Sequence, residues 1–580
     1  MELLDTPIVS KSIPAPFVES RTNAVFAWGA EAGVPFSNPF EGTGRITLPP
    51  GEGVGAGLEV VAGGGANVET YFDEPSGCCV YCWGIVAHPD VAQSELLKWI
   101  LGVVNGGDAS ALCQAVGTFI ILIDDRRNRR VRMVSDVLGL RPWHVGQHRG
   151  RLVCGSDVWS IQQAGFDMGG VNYDAVAAWV RMIFDCTERG LFNNFPPIGY
   201  GVIATWDAGG YSESRYFKIV GGQETPGPEE LIEGMHRRIS RTFDALTRDL
   251  DRVSIALSGG FDSRYLAALG VEREGLKIEA FCVCDEESEG IGADMVARAL
   301  KLPLQVLRTD GSVWNMYAEP FHFTPGGFPI TKQLSHVAAS QRPGVPCLSG
   351  FFGDPMNRGS LDRLEEKLER EIEEELPVVY RRSFLSNHTL ARFDLLDPKV
   401  IERSDRRILE VLRRRLAQWT HTGHPILGVS LVAQQRHYMS NNILQHLHVA
   451  EAIIPFASWE SIQFKMQNDA ACFSYDVYGK LLDTYFPQMS HIPHNSKIAC
   501  GNPSVVRRSR CTRKWATAVL QGLLRSKSMS LLNRRKAVPR LIGAMAGRRD
   551  VEVVAMFLYR LHLLEERCRR REVAFDWNEI

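Results

Sequence analysis

Apolar residues along this chain come first at strand spacing and then at helix spacing, and the change falls near residue 225. Val116 to Ile123 is an apolar run, Asp124 to Arg130 is polar, and Val131 to Val134 is largely apolar again, which predicts a hairpin. Leu152–Cys154, Val202–Trp206 and Tyr211–Tyr216 read as further short strands. Glycines crowd residues 41–66, where no helix start follows them, so this stretch predicts loops between short strands. The first part of the chain is therefore expected to be strand-rich.

Residues 222–230, Gly-Gln-Glu-Thr-Pro-Gly-Pro-Glu-Glu, read as a linker. Leu231, Ile232, Met235, Ile239, Phe243 and Leu246 follow at helical spacing. A run with a buried look, Val253 to Leu257, then enters Ser258-Gly-Gly-Phe-Asp-Ser263, and Tyr265, Leu266, Ala268 and Leu269 resume the helical period. Ile278–Cys284 predicts a second strand, Gly292–Leu300 a helix and Leu304–Leu307 a third strand. Strands alternating with helices predict a parallel sheet. Residues 362–375 predict a charged, solvated helix, and from about 385 helices dominate.

Length and charge narrow the picture. At 580 residues the chain exceeds one core, and two or three domains are expected. Apolar content of 45% and a net charge of -2 describe a soluble globular protein, and the absence of an 18-residue apolar run predicts no membrane span. Met1 to Pro7 lacks the basic and apolar regions of a signal peptide, and thirteen scattered cysteines suit a reducing compartment, so a cytoplasmic location is expected. Cys78, Cys79 and Cys82, with Cys282 and Cys284, do not complete a metal-ligand set. Residues 501–580 carry roughly 18 Lys/Arg against 7 Asp/Glu, among them Arg507, Arg508, Arg534, Arg535, Lys536, Arg548, Arg549 and Arg569 to Arg571. This basic end offers a surface to an acidic partner, or else is a solvated helical face. Aromatics are not interleaved with it in a nucleic-acid-binding pattern, so no nucleic-acid partner is expected.

The segment Ser258–Ser263 carries the chemistry. Gly259 and Gly260 leave backbone N–H groups bare for close approach of an anion at a helix start. Ser258 and Ser263 add hydroxyl donors, and Asp262 offers a carboxylate to a magnesium ion. The spelling resembles the pyrophosphate-binding loop of the ATP-pyrophosphatase families, Ser-Gly-Gly-x-Asp-Ser.

The order of the pieces resembles the asparagine synthetase family, over roughly residues 80–500. In the first part, Gly117 to Asp124, Ser135-Asp-Val-Leu-Gly-Leu-Arg-Pro-Trp143, Leu152 to Ser156 and Leu191 to Gly199 are similar to segments of its class II glutamine amidotransferase domain. In the second, Leu348-Ser-Gly-Phe-Phe-Gly-Asp354, Glu451 with Ile454-Pro-Phe-Ala457, Tyr478-Gly-Lys480, Ile492-Pro493 and Lys497 follow the family's order. The resemblance implies a two-domain α/β fold. Residues 1–225 would form a β-rich αββα amidotransferase-like domain. Residues 226–510 would form a parallel-sheet ATP-pyrophosphatase domain, and 511–580 a basic helical extension. A homodimer is compatible with it.

Departures from the family matter as much. Its glutaminase uses an N-terminal cysteine, whereas here Glu2 follows Met1 and no cysteine precedes Cys78, so glutamine hydrolysis is expected to be lost. Asp136 and Arg141 then read as structural turn residues. Phe351 and Phe352 stand where the family has an acidic residue and a glycine, Pro355 replaces a second acidic residue, Ile453 replaces an arginine, and Ala457-Ser458 replace Leu-Asp. Two aromatics in place of a carboxylate would shrink or dry the acceptor pocket.

What the resemblance implies is carboxylate activation by adenylation followed by amide formation, with ATP and Mg2+ required. Leu257, Ser258, Gly259, Gly260, Asp262, Ser263, Val283, Ser349 and Gly350 would bind ATP. Asp262 and Asp354 would hold the metal, and Lys497 and Glu451 would be catalytic. A preorganised charge such as that of Lys497 contributes on the order of 3 kcal/mol in a dry site. The substrate would be a small-molecule, peptide or glycan carboxylate. The amine could be intramolecular, as in the β-lactam synthetase and lasso peptide cyclase branches, or a second substrate, or ammonia. Asparagine synthesis itself, a sulfur-transfer or tRNA-modifying pyrophosphatase, and a non-catalytic ATP-binding scaffold are the rival readings.

Overall fold

The structure is a computed structural model that describes residues 24–28, 59–62, 68–148, 150–284, 287–308, 326–328, 344–357, 372–385, 395–439, 450–493, 530–545 and 552–580. It is mixed α/β, with two antiparallel sheets formed before residue 216 and one parallel sheet after residue 251. Strands β1 (Ala24–Trp28), β2 (Glu59–Ala62), β7 (His144–His148) and β8 (Arg151–Gly155) make a four-stranded sheet in the order β2-β1-β8-β7. Strands β3 (Val68–Asp73), β4 (Cys78–Ala87), β5 (Val116–Asp125), β6 (Arg130–Ser135), β9 (Val202–Asp207) and β10 (Gly210–Arg215) make a six-stranded sheet in the order β10-β9-β6-β5-β4-β3.

Alternation along β4 and β5 buries both faces of the larger sheet. Tyr81, Trp83, Ile120 and Leu122 point to one core, shared with Val145, Leu152 and Cys154 of the smaller sheet. Val80, Cys82, Phe119, Ile121 and Ile123 point to the other, under helix α1 (Gln93–Gly106). The outer side of the smaller sheet packs against α2 (Val158–Gln163) and α3 (Tyr173–Met182). Helix, sheet, sheet and helix thus lie in layers.

The hairpin has a shorter turn than the polarity of Asp124–Arg130 predicts. Both aspartates lie inside β5 and are buried. They can do so because Asp124 pairs with Arg126 at 2.8 Å, while Asp125 accepts from the Asn128 backbone and pairs with Arg130 at 2.9 Å. The glycine-rich segment 41–66 falls mostly outside the described residues, as does the charged stretch 362–371.

The parallel sheet contains β11 (Arg252–Ala256), β12 (Lys277–Cys284), β13 (Leu304–Arg308), β14 (Cys347–Leu348) and β15 (Ala452–Ile453), in the order β13-β12-β11-β14-β15. Helices α4 (Pro228–Thr247), α5 (Phe261–Glu272) and α6 (Glu287–Ala299) lead into or join its strands. Proline at the first position of α4 and an apolar stripe through Leu231, Met235, Ile239 and Phe243 account for that helix. The chain winds to one side of β11 through β12 and β13, then to the other through β14 and β15. One large core runs from Val116, Val137 and Phe184 of the first part to Val253, Ile255 and Leu266 of the second.

The helix Glu552–Arg570 and the segment after it fold back on the first part, where Leu561, Leu564, Cys568, Trp577 and Ile580 share a core with Trp159, Val176 and Phe192. Arg569 and Arg570 pair with Glu566 of their own helix, at 2.7 and 2.9 Å. Arg507, Arg508, Arg548 and Arg549 lie outside the described residues. Among the described residues no helix is long and apolar enough to cross a membrane, and Cys78, Cys79 and Cys82 are free thiols.

Candidate functional site

The Ser258–Ser263 segment sits at the carboxyl end of β11, the strand on either side of which the chain winds in opposite directions. In open parallel sheets that edge is where ligands bind. The Leu257 N–H still donates to the Phe281 carbonyl at 2.7 Å, and the strand pairing gives way to the loop beyond it. α5 begins at Phe261 with Gly260 as its N-cap, in extended backbone and with no side chain capping it. The first-turn N–H groups and the positive end of the helix dipole thus face the loop without a protein cap.

Ser258 and Ser263 close the neck of the loop. Their hydroxyl oxygens lie 2.9 Å apart, the Ser258 N–H donates to Ser263 Oγ at 3.1 Å, and the Gly260 N–H donates to Ser258 Oγ at 3.2 Å. Gly260 has φ of −79°, so its identity serves close approach rather than a left-handed turn. A Cβ there would stand 3.2 Å from Ser258 Oγ.

The turn after β14 packs directly on this loop. The Ser349 N–H donates to the Ile453 carbonyl at 2.9 Å, and the chain then passes through Gly350 and Gly353. A Cβ on Gly350 would lie 2.8 Å from Asp262 Cβ, and one on Gly353 would lie 2.1 Å from Asp262 Oδ1. Both glycines are therefore required by contact with Asp262. The structure brings Leu257, Ser258, Gly259, Gly260, Asp262, Ser263, Ser349 and Gly350 together along the carboxyl edge. Val283, at the carboxyl end of β12, packs beside Ala256, Phe281 and Cys347.

Asp354 is exposed on the short helix Gly353–Asn357. Burial, then the carboxylates of Asp262 and, more weakly, Asp354, hold the Tyr478 hydroxyl well above the ordinary phenol range. Two carboxylates beside an uncapped helix start would suit a magnesium ion, which takes one or two such ligands and completes its shell with phosphate and water. Among the described residues no group of three or more His, Cys, Asp or Glu is placed to hold a metal.

Of the two expected catalytic residues, Glu451 is not brought to the loop. Lys497 lies outside the described residues. Glu451 precedes β15, and the register Leu348↔Ile453 and Ile255↔Leu348 sets it level with Val253. That is the amino edge of the sheet, roughly 16 Å along the strands from Ser258. There its carboxylate pairs with Arg141 at 2.7 Å. Arg141 closes a turn in which the Asp136 carboxylate accepts from the N–H groups of Leu138, Leu140 and Arg141. Asp136 thus holds this turn together, and Arg141 joins it to the parallel sheet.

Of the two aromatics, Phe352 is a core residue at 1% exposure with left-handed backbone, φ 69°. Phe351 is half-buried, edge-on to it at 4.5 Å. Ile453 and Ala457 are buried, and Ser458 caps the helix Trp459–Gln467. Sequence reasoning missed Arg264. It occupies a position inside the apolar face of α5 and is 2% exposed. A cation within an otherwise apolar helical stripe was the available signal.

No family model matches the chain, and no curated protein matches it. Solved structures similar to it include glutamine phosphoribosylpyrophosphate amidotransferase from B. subtilis complexed with ADP and GMP. That likeness has 10% identity and a TM-score of 0.19, covering 59% of this chain and 72% of that one. Another is described as the allosteric regulatory enzyme of purine biosynthesis, with 11% identity and a TM-score of 0.23, covering 61% of this chain and 73% of that one. At these values neither assigns a substrate or a residue role here.

Proposed function

We propose that this chain is an ATP-dependent amide-forming synthetase of asparagine synthetase-like type, which adenylates a substrate carboxylate and passes it to an amine. The observation that supports the reading is the uncapped start of α5 behind Ser258–Ser263, at the carboxyl edge beside β14. A substrate carboxylate oxygen attacks the α-phosphorus of ATP. The bond to the bridging oxygen breaks, and pyrophosphate leaves with that electron pair. The loop N–H groups and the hydroxyls of Ser258 and Ser263 receive the leaving pyrophosphate, where fixed dipoles need no reorganisation. Asp262 and Asp354 would hold a magnesium ion, which supplies neutralising charge at the phosphates. The amine then attacks the acyl adenylate and AMP leaves.

The amine comes from outside a glutaminase in this reading. Cys78 and Cys82 are buried on β4, and burial raises both thiols, the wrong direction for a nucleophile. The acceptor is a small-molecule, peptide or glycan acid. The test is pyrophosphate release from ATP with and without a panel of carboxylates, in the native chain and in Asp262→Ala. Acid-dependent release that Asp262→Ala abolishes supports the reading. ATP binding with no release for any acid favours a scaffold instead.

A further inference from the structure

Arg264 makes contacts that a surface arginine does not. Its guanidinium is buried, and Nη2 donates to the Gly259 carbonyl at 3.0 Å. Nη1 donates to the Ile492 carbonyl at 2.8 Å and Nη2 to the Pro493 carbonyl at 3.2 Å. The planar fork thus joins the phosphate loop to a segment more than 200 residues away. A buried cation costs much unless its donors are satisfied, so a position that keeps one is set by those carbonyls.

The Gly259 carbonyl is the informative partner. In a trans peptide the carbonyl and the following N–H point to opposite sides. Drawing the Gly259 carbonyl inward to Arg264 sets the Gly260 N–H on the other side, where it meets Ser258 Oγ at 3.2 Å. A peptide between two glycines is weakly constrained and flips more easily than one flanked by side chains. Flipped, it would present a carbonyl oxygen to an incoming phosphate in place of an N–H.

We propose that Arg264 is a positioning residue that locks the Gly259–Gly260 peptide with its N–H toward the phosphate site, using Ile492 and Pro493 as the fixed anchor. The inference rests on the ATP-dependent reading above and deepens it. Its effect falls on the phosphate end of the nucleotide and spares the nucleoside end.

The test measures binding of magnesium pyrophosphate and of adenosine by calorimetry, with melting temperature, in the native chain, Arg264→Lys and Arg264→Gln. Lysine keeps the charge but cannot span three carbonyls. The expected result is a loss of at least tenfold in pyrophosphate affinity in both variants, with adenosine affinity within twofold. Equal losses for both ligands in step with a lower melting temperature would overturn the proposal, as would unchanged pyrophosphate affinity. If the native chain binds neither ligand, the ATP reading falls and takes this proposal with it. If it binds both and Arg264→Lys changes nothing, only this proposal falls.

Discussion

Arg141 Nη1 lies 2.7 Å from Glu451 Oε2, an ion pair that ties the turn after β6 to the amino edge of the parallel sheet. The side chains are 5% and 12% exposed. Removing one partner leaves the other charged group uncompensated, which destabilises by about 3 kcal/mol. Glu451→Gln and Arg141→Met are each expected to lower the urea midpoint accordingly. The double replacement Arg141→Met with Glu451→Met should recover most of the loss. Pyrophosphate release by Glu451→Gln should stay within a few-fold of the native rate, since the loop lies at the opposite edge. Lost release at unchanged stability would return Glu451 to a catalytic role.

Asp136 supplies a pH dependence. Burial pushes its carboxyl up to about 6, against the N–H donors of Arg141, Leu140 and Leu138 and the Arg436 guanidinium, which all pull it down. The folded state therefore holds its proton more tightly than the unfolded state. The corresponding stability is complete below about pH 4 and is lost as pH rises through about 6, on the order of 3 kcal/mol in all. Asp136→Asn should flatten the stability profile between those values. A native profile in which this carboxylate gains stability over the same range would refute the assignment.

The parallel sheet was legible because β11, β12 and β13 are short, largely apolar segments alternating with helical periods, and the loop because its six residues sit between a strand and a helical period. β14 and β15 are two residues each, too short to carry a period, and they decide where Glu451 falls. Only their register shows that Glu451 and Ser258 occupy opposite edges. The role of Gly353 was hidden for a related reason. Its contact with Asp262 joins two helix starts some 90 residues apart, and no local pattern records it.

That contact can be tested through a single methyl group. A Cβ on Gly353 would stand 2.1 Å from Asp262 Oδ1 and 2.3 Å from Cγ. Gly353→Ala is expected to displace the Asp262 carboxylate, reduce pyrophosphate release at least tenfold and destabilise by roughly 1–3 kcal/mol. Gly102→Ala is the control. It lies in α1 with no atom within 4 Å of the added carbon, and should leave release unchanged while stabilising by roughly 0.5–1 kcal/mol. Native release in Gly353→Ala would show that Asp262 does not need its observed position.

Phe352 sets two opposing terms against each other. Its left-handed backbone, φ 69°, costs a bulky side chain about 1–2 kcal/mol, which glycine would recover. Its ring is 1% exposed in the main core beside Met356, and deleting a buried phenylalanine costs about 3–5 kcal/mol. The packing loss is the larger, so Phe352→Gly should be less stable by about 1–4 kcal/mol. Phe352→Ala should be worse still, because it loses the ring and keeps the strain. The order native, then Gly, then Ala in denaturation midpoint is the expected outcome. An alanine variant at least as stable as the glycine variant would show that the left-handed turn carries no strain. Phe352 would then stand there for packing alone.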